Sequence, residues 1–345
     1  MYATGTGKHL RNVVGKLNAR SVIANRYVVW DMHGCPPRGE GSDLGIVLER
    51  YRAAGFDAVT VNVGDSYYDL EDVVATLAGF RKQLAARPDR YLLVDRADDL
   101  PRARDLGLLA VSFDVEGARS LGNRLELVEV YYALGVRWMA FAYNLGNQFG
   151  AGCHDAVDAG LTRLGRQLVE RMEAAGIIKC CSHTGYRTAL DVFARSSKPA
   201  ILSHSNPRAL VDHERNVPDE LYRACAATGG VAGINGIGLF LGSDAPSAAD
   251  WFRHLDYVVD LIGAEHVGIA LDAVFPAHAG DDGSLDALRA DYWPPEKGYR
   301  PGMRWLDPEV LPELIGLMER AGYPAAAIAG ICGGNFLRVA EACWR

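Results

Sequence analysis

The stretch LTRLGRQLVERMEAAGIIKCCSH (161–183) decides the fold class of this chain. Its first part repeats apolar residues at the spacing of an amphipathic helix, and Gly176 is placed to end that helix. The apolar run IIKCCSH (177–183) that follows is typical of a buried strand and ends in His183. A helix followed by a buried strand indicates a parallel sheet whose faces are covered by helices.

Eight such strand-like runs occur along the chain, each followed by a helical or loop pattern. They are 27–33, 58–63, 108–116, 136–143, 177–183, 200–204, 230–237 and 266–272. We therefore predict an α/β protein with a (β/α)8 TIM barrel, formed as a single domain over 1–345 with loop insertions at the C-terminal face of the barrel. A doubly wound open sheet shares this alternation, but no GxGxxG motif follows the first run to support it.

Three further segments lie outside the predicted barrel strands. We expect 1–26 to form an N-terminal helical extension and the short run 91–95 to lie outside the barrel. The segment 276–305, rich in Gly, Asp, Pro and Trp, is expected to be a long loop after the last strand. Loops at this end of a barrel set substrate specificity.

The composition excludes several classes of function. The 345 residues have a formal net charge of −7, which argues against nucleic acid or an anionic membrane as a partner. No run approaches the roughly 18 apolar residues of a membrane span, and the N-terminus lacks the apolar core of a signal peptide. The seven cysteines form no disulfide framework, so we expect a cytoplasmic protein with reduced thiols.

Five side chains of metal-binding types lie at the C-terminal ends of five different predicted strands. They are His33, Glu116, His183, His204 and Asp272. The C-terminal strand ends of a barrel converge on one face, where barrel enzymes carry their active sites. Histidines and carboxylates gathered in this way suit zinc or a similar divalent ion with a bound water.

The two carboxylates of this set suggest different tasks. Glu116 can bridge two ions through its two oxygens. Asp272, on the last strand, is placed to take a proton from the bridging water and to hand it to a leaving group.

From residue 160 to residue 216 the chain resembles the core of the membrane dipeptidases (renal dipeptidases), zinc metallopeptidases with an amidohydrolase-like barrel. The motifs that carry the resemblance are SH at 182–183, SHS at 203–205, RN at 215–216, VEG at 115–117, GIALD at 268–272 and GGNFLRV at 333–339. Members of that family are binuclear zinc enzymes that hydrolyse dipeptides, and bacterial members often accept a D-residue at the C-terminal position.

The resemblance implies roles for the matching residues. His33 would bind a first ion, His183 and His204 a second ion, and Glu116 both ions. Asp272 would be the proton shuttle.

Arg215 would hold the terminal carboxylate of the substrate, because an arginine fork fits a carboxylate in bidentate fashion. A surface salt bridge within DHERN (212–216) is the alternative for Arg215.

One departure from the family pattern lies in the first strand. That strand usually ends His-x-Asp, whereas here it ends His33-Gly34-Cys35. Alternation along an extended segment puts 33 and 35 on the same side, so a Cys35 thiolate can bind the same ion as His33. The alternative is a buried thiol beside a weak or empty first site. We therefore expect one or two zinc ions, two if Cys35 is a ligand.

A second departure lies after the fourth predicted strand, in FAYNLGN (141–147). Tyr143 stands where the family has a histidine that contacts the scissile carbonyl. A tyrosine can still donate a hydrogen bond to an oxyanion. A ring that only closes the barrel mouth is the alternative. We assign both Tyr143 and Asn144 to substrate binding.

Together these observations predict that the chain is an enzyme, a zinc-dependent dipeptidase that uses a metal-bound hydroxide. L-D dipeptides are among the expected substrates, because bacterial members of the resembling family often accept them. One alternative is a hydrolase of another small carboxylate-bearing amide, such as an N-acyl amino acid or a cyclic amide. Another is a catalytically impaired barrel that acts as a binding protein. The expected partner is a small dipeptide-like molecule, and a homodimer is an assembly that this class allows.

Overall fold

The structure is a computed structural model that describes residues 28–38, 42–275 and 290–345. The predicted helical extension 1–26 and the part 276–289 of the predicted loop lie outside the described residues. The strands are β1 Trp30–Cys35, β2 Ala58–Asp65, β3 Tyr91–Leu93, β4 Leu109–Glu116, β5 Val136–Ala140, β6 Ile178–Cys180, β7 Ala200–Ile201, β8 Ala232–Ile234, β9 Val267–Ile269 and β10 Ala273–Val274.

These strands close into a parallel barrel. Hydrogen bonds link them in the order β10-β1-β2-β4-β5-β6-β7, and β8 pairs with β9. A parallel bridge between Leu202 and Ala232 joins the end of β7 to β8. Because β9 and β10 are two pieces of one segment, β9 pairing with β8 and β10 pairing with β1, the ring is complete and the predicted (β/α)8 fold is confirmed.

Helices pack around the outside of the ring. They are α1 Leu44–Ala54, α2 Leu70–Ala85, α3 Asp99–Asp105, α4 Leu127–Ala133, α5 Arg163–Ala175, α6 Tyr186–Arg195, α7 Asp219–Ala227, α8 Gly238–Leu241, α9 Ala248–Ile262, α10 Leu311–Arg320, α11 Ala325–Ala329 and α12 Asn335–Cys343. None of the helices in the described ranges is long and apolar enough to cross a bilayer.

Helix α5 shows how the local sequence sets these boundaries. Thr162 caps its N-terminus by accepting a hydrogen bond from the Gly165 amide, which would otherwise lack a partner in the first turn. Gly176 ends the helix with φ 93°, a left-handed conformation that glycine adopts without steric cost. The predicted C-cap at Gly176 is therefore confirmed.

Aromatic residues close the barrel at the end opposite the strand C-termini. Trp30 on β1 lies inside the ring and contacts Phe336 of α12 and Trp344, with ring centroids 6.2 and 5.8 Å apart. All three side chains belong to one buried apolar cluster with Trp138 of β5. The interior is therefore a packed core, and the opposite mouth is the end at which barrel enzymes carry their active sites.

Several observed strands end before the predicted ones, whereas β1 and β2 extend two residues further than predicted. The run 230–237 contains only Ala232–Ile234 as strand, and 177–183 contains only Ile178–Cys180. The composition of these runs therefore does not mark where the backbone leaves the sheet. The short run 91–95 contributes β3, which pairs with the first half of β4 and lies off the ring.

Candidate metal centre

The structure brings the five strand-end side chains together at the mouth of the barrel. All five are at most 7% exposed, and the two oxygens of Glu116 face two separate groups of donors. One group, the imidazole corner, consists of His183 and His204 beside Glu116 Oε1. The other, the thiol corner, consists of His33, Cys35 and Asp272, with Glu116 Oε2 beside His33.

The imidazole corner is a triangle of three ligand-type atoms. Nε2 of His183 and Nε2 of His204 each lie 3.0 Å from Glu116 Oε1. The two nitrogens lie 3.0 Å from each other. Three strand ends thus deliver three lone-pair atoms to one point.

The thiol corner gathers a sulfur, a nitrogen and two carboxylates. Cys35 Sγ lies 3.3 Å from His33 Nε2, and its thiol donates to Asp272 Oδ1 at 3.3 Å. His33 Nε2 lies 3.4 Å from Asp272 Oδ1 and 3.5 Å from Glu116 Oε2. Cys35 therefore faces the same point as His33, and Asp272 stands among the potential ligands rather than apart from them.

Neutral groups orient the two histidines of the imidazole corner. Nδ1 of His183 lies 2.7 Å from Asn144 Oδ1, and Nδ1 of His204 lies 2.7 Å from Ser203 Oγ. A proton on Nδ1 of His183 that is donated to Asn144 leaves Nε2 free to bind a metal. Asn144 is fully buried and its Nδ2 donates to the Tyr292 carbonyl, so this predicted substrate-binding residue contacts protein groups on both sides.

A carboxylate orients the histidine of the thiol corner. His33 Nδ1 lies 3.1 Å from Asp114 Oδ2, the carboxylate–histidine arrangement that fixes the ring of a metal ligand. Asn62 supports the carboxylate by donating to Asp114 Oδ1 at 2.8 Å. The sequence analysis missed Asp114, although SFDVE (112–116) carries the signal, because alternation puts Asp114 on the same face as Glu116.

The surroundings keep both histidines of the imidazole corner neutral. Burial lowers the pKa of His183 well below its ordinary value, and the nearby Arg215 lowers it further. Burial and the nearby His33 lower the pKa of His204 to about 4. Neutral imidazole is the form that binds a metal ion.

Charge at the thiol corner has the opposite effect on its groups. Burial disfavours the charged form of His33, but Cys35, Asp114 and Glu116 raise its pKa well above the ordinary value. Burial also raises the pKa of the Cys35 thiol. This corner therefore keeps protons on His33 and Cys35 beside several carboxylates, and a metal ion would bind there by displacing those protons.

Unusual backbone conformations are concentrated at the site. Within 28–38, 42–275 and 290–345, the non-glycine residues with positive φ are Asn144 at 55°, His183 at 64° and Asp272 at 55°. The pairing of β1 with β2 also shifts register between Asp31 and Gly34, next to His33. Irregularities of this kind re-aim side chains and are common beside active sites.

The residues at the mouth fit a divalent metal such as zinc. Ligands at about 2.0–2.1 Å around a tetrahedral ion lie about 3.3 Å apart, and the donor atoms of both corners are separated by 3.0–3.5 Å. His33 with Cys35 and Asp272, and His33 with Glu116 and His204, each form a group that can hold an ion. Imidazole, thiolate and carboxylate are the ligand types of protein zinc sites.

Arg215 lies beneath this centre and is only 1% exposed, so the alternative of a surface salt bridge is not what the structure places there. Its Nη1 donates to Ser205 Oγ at 3.3 Å and its Nη2 to the His204 carbonyl at 2.8 Å. Its Nε lies 3.1 Å from Nδ1 of His183 and can donate there only when that nitrogen carries no proton. Each of Nη1 and Nη2 carries a second N–H beyond these three contacts.

Tyr143 covers the imidazole corner. Its ring stacks on His183 with centroids 4.2 Å apart, and Trp293 Nε1 donates to its hydroxyl oxygen at 3.1 Å. Burial raises the pKa of Tyr143 well above the ordinary value, and the nearby Glu116 raises it further, so the hydroxyl stays protonated. Because its oxygen accepts from Trp293, its own hydrogen is available to another acceptor.

Comparison with known proteins identifies the family. The model of the membrane dipeptidases, peptidase family M19, matches residues 46–283, which include Glu116, His183, His204 and Asp272. The chain belongs to the membrane dipeptidase family. It is thus an enzyme of the dipeptidase class, and membership implies a metal-dependent hydrolase with a small peptide substrate. His33 and Cys35 precede the matched region, so the departure at Cys35 lies outside it.

Several known proteins are similar to this chain in sequence. A Klebsiella pneumoniae protein, named as an uncharacterized protein in the pqqA 5' region, is 28% identical over 78% of this chain and 95% of its own length. An uncharacterized dipeptidase, C965.12 of Schizosaccharomyces pombe, is 29% identical over 84% of this chain. The dipeptidase aclJ of Aspergillus oryzae is 29% identical over 68% of this chain. The match spans 65% and 51% of the lengths of these two fungal proteins.

Several solved structures share the fold. An amidohydrolase from Pseudomonas aeruginosa superposes with a TM-score of 0.82 at 24% identity, covering 94% of this chain and 99% of that one. A metallopeptidase from Rhodobacter sphaeroides, solved with a phosphinate mimic of the dipeptide L-Ala-D-Ala, superposes with a TM-score of 0.73 at 20% identity, covering 92% and 99%. At these identities the likeness establishes the fold alone.

Proposed function

We propose that this chain is a zinc-dependent dipeptidase that hydrolyses the amide bond of dipeptides with a free C-terminal carboxylate, L-D dipeptides included. The observation that carries the proposal is the Glu116 carboxylate, whose Oε1 lies 3.0 Å from two histidine nitrogens while its Oε2 lies 3.5 Å from a third. A carboxylate with one oxygen toward each of two donor groups could serve a two-ion hydrolytic centre as a shared ligand.

The chemistry follows from the groups at the mouth. Zinc, when bound, lowers the pKa of a water enough to supply the nucleophile at neutral pH. Asp272 is the group that receives a proton and passes it to the leaving amine. Burial alone would raise the pKa of Asp272, but the neighbouring His204 and His33 lower it to about 2, so the carboxylate is ionised at neutral pH.

Tyr143 is proposed to donate to the oxyanion. Its hydroxyl is protonated at neutral pH, and the hydrogen bond that it accepts from Trp293 polarises it as a donor. A preorganised donor of this kind, aimed at charge that develops in the transition state, is typically a large contribution to the rate of amide hydrolysis.

Arg215 is proposed to bind the substrate carboxylate through the outer edge of its guanidinium. Replacing Arg215 by Lys keeps the charge but removes the fork, so kcat/KM for a dipeptide should fall by about 10- to 100-fold. The amidated dipeptide, which has no carboxylate, should be barely affected in the same variant. An equal fall for both substrates would assign Arg215 a structural role through its contacts with Ser205 and His204.

The function itself is tested on the purified native chain. Metal content by mass spectrometry should show zinc, and a dipeptide panel with L-L and L-D pairs should be hydrolysed, with activity lost on chelation and restored by zinc. N-acyl amino acids and cyclic amides in the same panel test the second reading, hydrolysis of another small amide. Dipeptide binding without turnover in zinc-loaded protein would favour the binding-protein reading and overturn the proposal.

A further inference from the structure

Four aromatic rings from three separate segments meet over the metal centre. Tyr67 follows β2, Tyr143 follows β5, and Tyr292 and Trp293 come from the segment after β10. Ring centroids lie 5.3 Å apart for Tyr67 and Trp293, 5.6 Å for Tyr67 and Tyr292, and 6.1 Å for Tyr143 with either residue of the last segment. We call these four rings the aromatic wall.

Hydrogen bonds hold the wall in place. Trp293 Nε1 donates to the Tyr143 hydroxyl at 3.1 Å, and the Tyr292 hydroxyl donates to the Ser66 carbonyl at 3.4 Å. The Tyr292 carbonyl accepts from Asn144 Nδ2 at 2.8 Å, so the wall is fixed to the residue that orients His183. Its position relative to the metal centre is therefore set by direct contacts.

The wall starts at the metal centre and extends toward solvent. Tyr143 is 7% exposed and stacks on His183, whereas Tyr67, Tyr292 and Trp293 are half-buried. Both side chains of a dipeptide are attached to the carbons next to its single amide bond. When that bond lies at the metal centre, at least one side chain therefore lies close to the wall. Half-buried ring surface at that distance gains free energy by covering an apolar group.

Charged residues near the wall favour an apolar substrate side chain over a cationic one. The neighbouring carboxylate, Asp65, is paired with Arg38 at 3.1 Å, and the Arg38 guanidinium lies 4.6 Å from the Tyr68 ring. A cationic side chain beside Tyr67 would meet the Arg38 charge, and Asp65 is already paired with Arg38. An uncharged aromatic or large apolar side chain meets no such penalty.

We propose that the aromatic wall is the side-chain subsite of this dipeptidase, and that its preferred dipeptides carry an aromatic or large apolar side chain next to the scissile bond. The inference rests on the proposed function. It names a substrate class that neither family membership nor the metal ligands specify, because those residues act on the amide bond that all dipeptides share.

The test compares side chains at each position of the dipeptide. For the native enzyme, kcat/KM for Phe- or Leu-containing dipeptides should exceed that for Ala-Ala by at least about tenfold at one position. In Trp293→Ala and in Tyr67→Ala this ratio should fall toward one. Tyr186→Ala, which removes an exposed tyrosine of α6, is the matched control and should leave the ratio unchanged. An unchanged ratio in both wall variants, or a native preference for Lys, overturns the subsite.

A binding measurement separates this inference from the proposed function. If no dipeptide is hydrolysed, the function fails, but calorimetric titration with the same dipeptides still tests the wall. Phe-Phe should bind at least about tenfold more tightly than Ala-Ala to the native protein, with the difference lost in Trp293→Ala. Equal affinities in the native protein overturn the subsite even if hydrolysis is observed.

Discussion

The imidazole corner and the thiol corner share Glu116, but they are built with opposite kinds of partner. Asn144 and Ser203, both neutral, orient His183 and His204. The carboxylate of Asp114 orients His33 in the thiol corner. The neutral corner presents imidazoles that are already free of protons, whereas the anionic corner holds protons on His33 and Cys35.

Because of this difference, we expect metal binding at the two corners to respond differently to the loss of a ligand. At the imidazole corner each nitrogen is a preformed ligand, so an ion there is bound by geometry. At the thiol corner the attraction is mostly charge, and an ion must displace protons to bind. The predictions below test this contrast, starting with the variant that should have the largest effect.

The largest effect is expected for His183→Ala, which removes one of the three ligand-type atoms of the imidazole corner. Metal content and activity should fall together, with kcat/KM lower by at least about 10³-fold, because metal ions supply several kcal/mol of transition-state stabilisation. Metal analysis and dipeptide hydrolysis provide the measurement. His266→Ala, at the start of β9 and away from the mouth, is the control. Full activity in His183→Ala would remove this residue from the site.

The next variant asks whether the thiol corner holds an ion through Cys35. If it does, the native chain should contain about two ions, Cys35→Asp should stay near two, and Cys35→Ala should lose one. Thiolate ligation should also favour zinc over manganese or magnesium relative to Cys35→Asp. If Cys35→Ala holds as much metal as the native chain, Cys35 is a buried thiol and the imidazole corner accounts for the bound ion.

A matched pair of variants compares the orienting partners. Asp114→Asn keeps the shape of the side chain but removes the charge next to His33, and it should weaken metal binding by about 10- to 100-fold. Ser203→Ala removes a neutral partner of His204 and should have a smaller effect. Competition with a chromogenic chelator measures both affinities. Equal losses would mean that the charge of Asp114 is not what distinguishes the corners.

The smallest effect concerns the stability of the fold and a histidine outside both corners, whose pKa is changed mainly by burial. His254 of α9 is buried, and burial lowers its pKa to about 4. Between about pH 4 and 6.5 the unfolded chain therefore binds more protons than the folded chain at this position, so stability falls as the pH falls.

From pH 7 to pH 5 this residue should reduce the free energy of unfolding by about 2 kcal/mol, and His254→Leu should lose that part of the pH dependence. Urea unfolding of both proteins at the two pH values measures it, since contributions of the metal centre cancel in the comparison. Identical pH dependence in both would show that His254 titrates normally in the folded state.

The fold and most of the metal centre could be predicted because both depend on local periodicity. Apolar runs with the right spacing predicted the strands, and barrel geometry then placed residues 33, 116, 183, 204 and 272 at one mouth without knowledge of any contact. Cys35 was singled out because the resembling family has an aspartate at its position, and alternation then put it on the side of His33. Asp114 could have been found by the alternation that found Glu116.

Other parts of the site leave no such pattern in the sequence. Tyr67, Tyr292 and Trp293 come from turns and loops, whose direction depends on tertiary contacts rather than on spacing. The partners of Arg215 and Asn144 were not predictable either, because a buried guanidinium or amide can bond to any nearby carbonyl or ring nitrogen. The helical extension at 1–26 and the loop at 276–289 stay predictions.

The three left-handed residues at the mouth have a consequence for how this protein can change under selection. Asn144, His183 and Asp272 each hold a backbone conformation that costs about 1–3 kcal/mol for residues other than glycine. Glycine at any of these positions would relax the chain and raise its heat tolerance, while deleting a group that the proposed chemistry needs. A screen for thermal survival alone would therefore drift toward inactive variants at these codons, and a screen for turnover would hold them fixed.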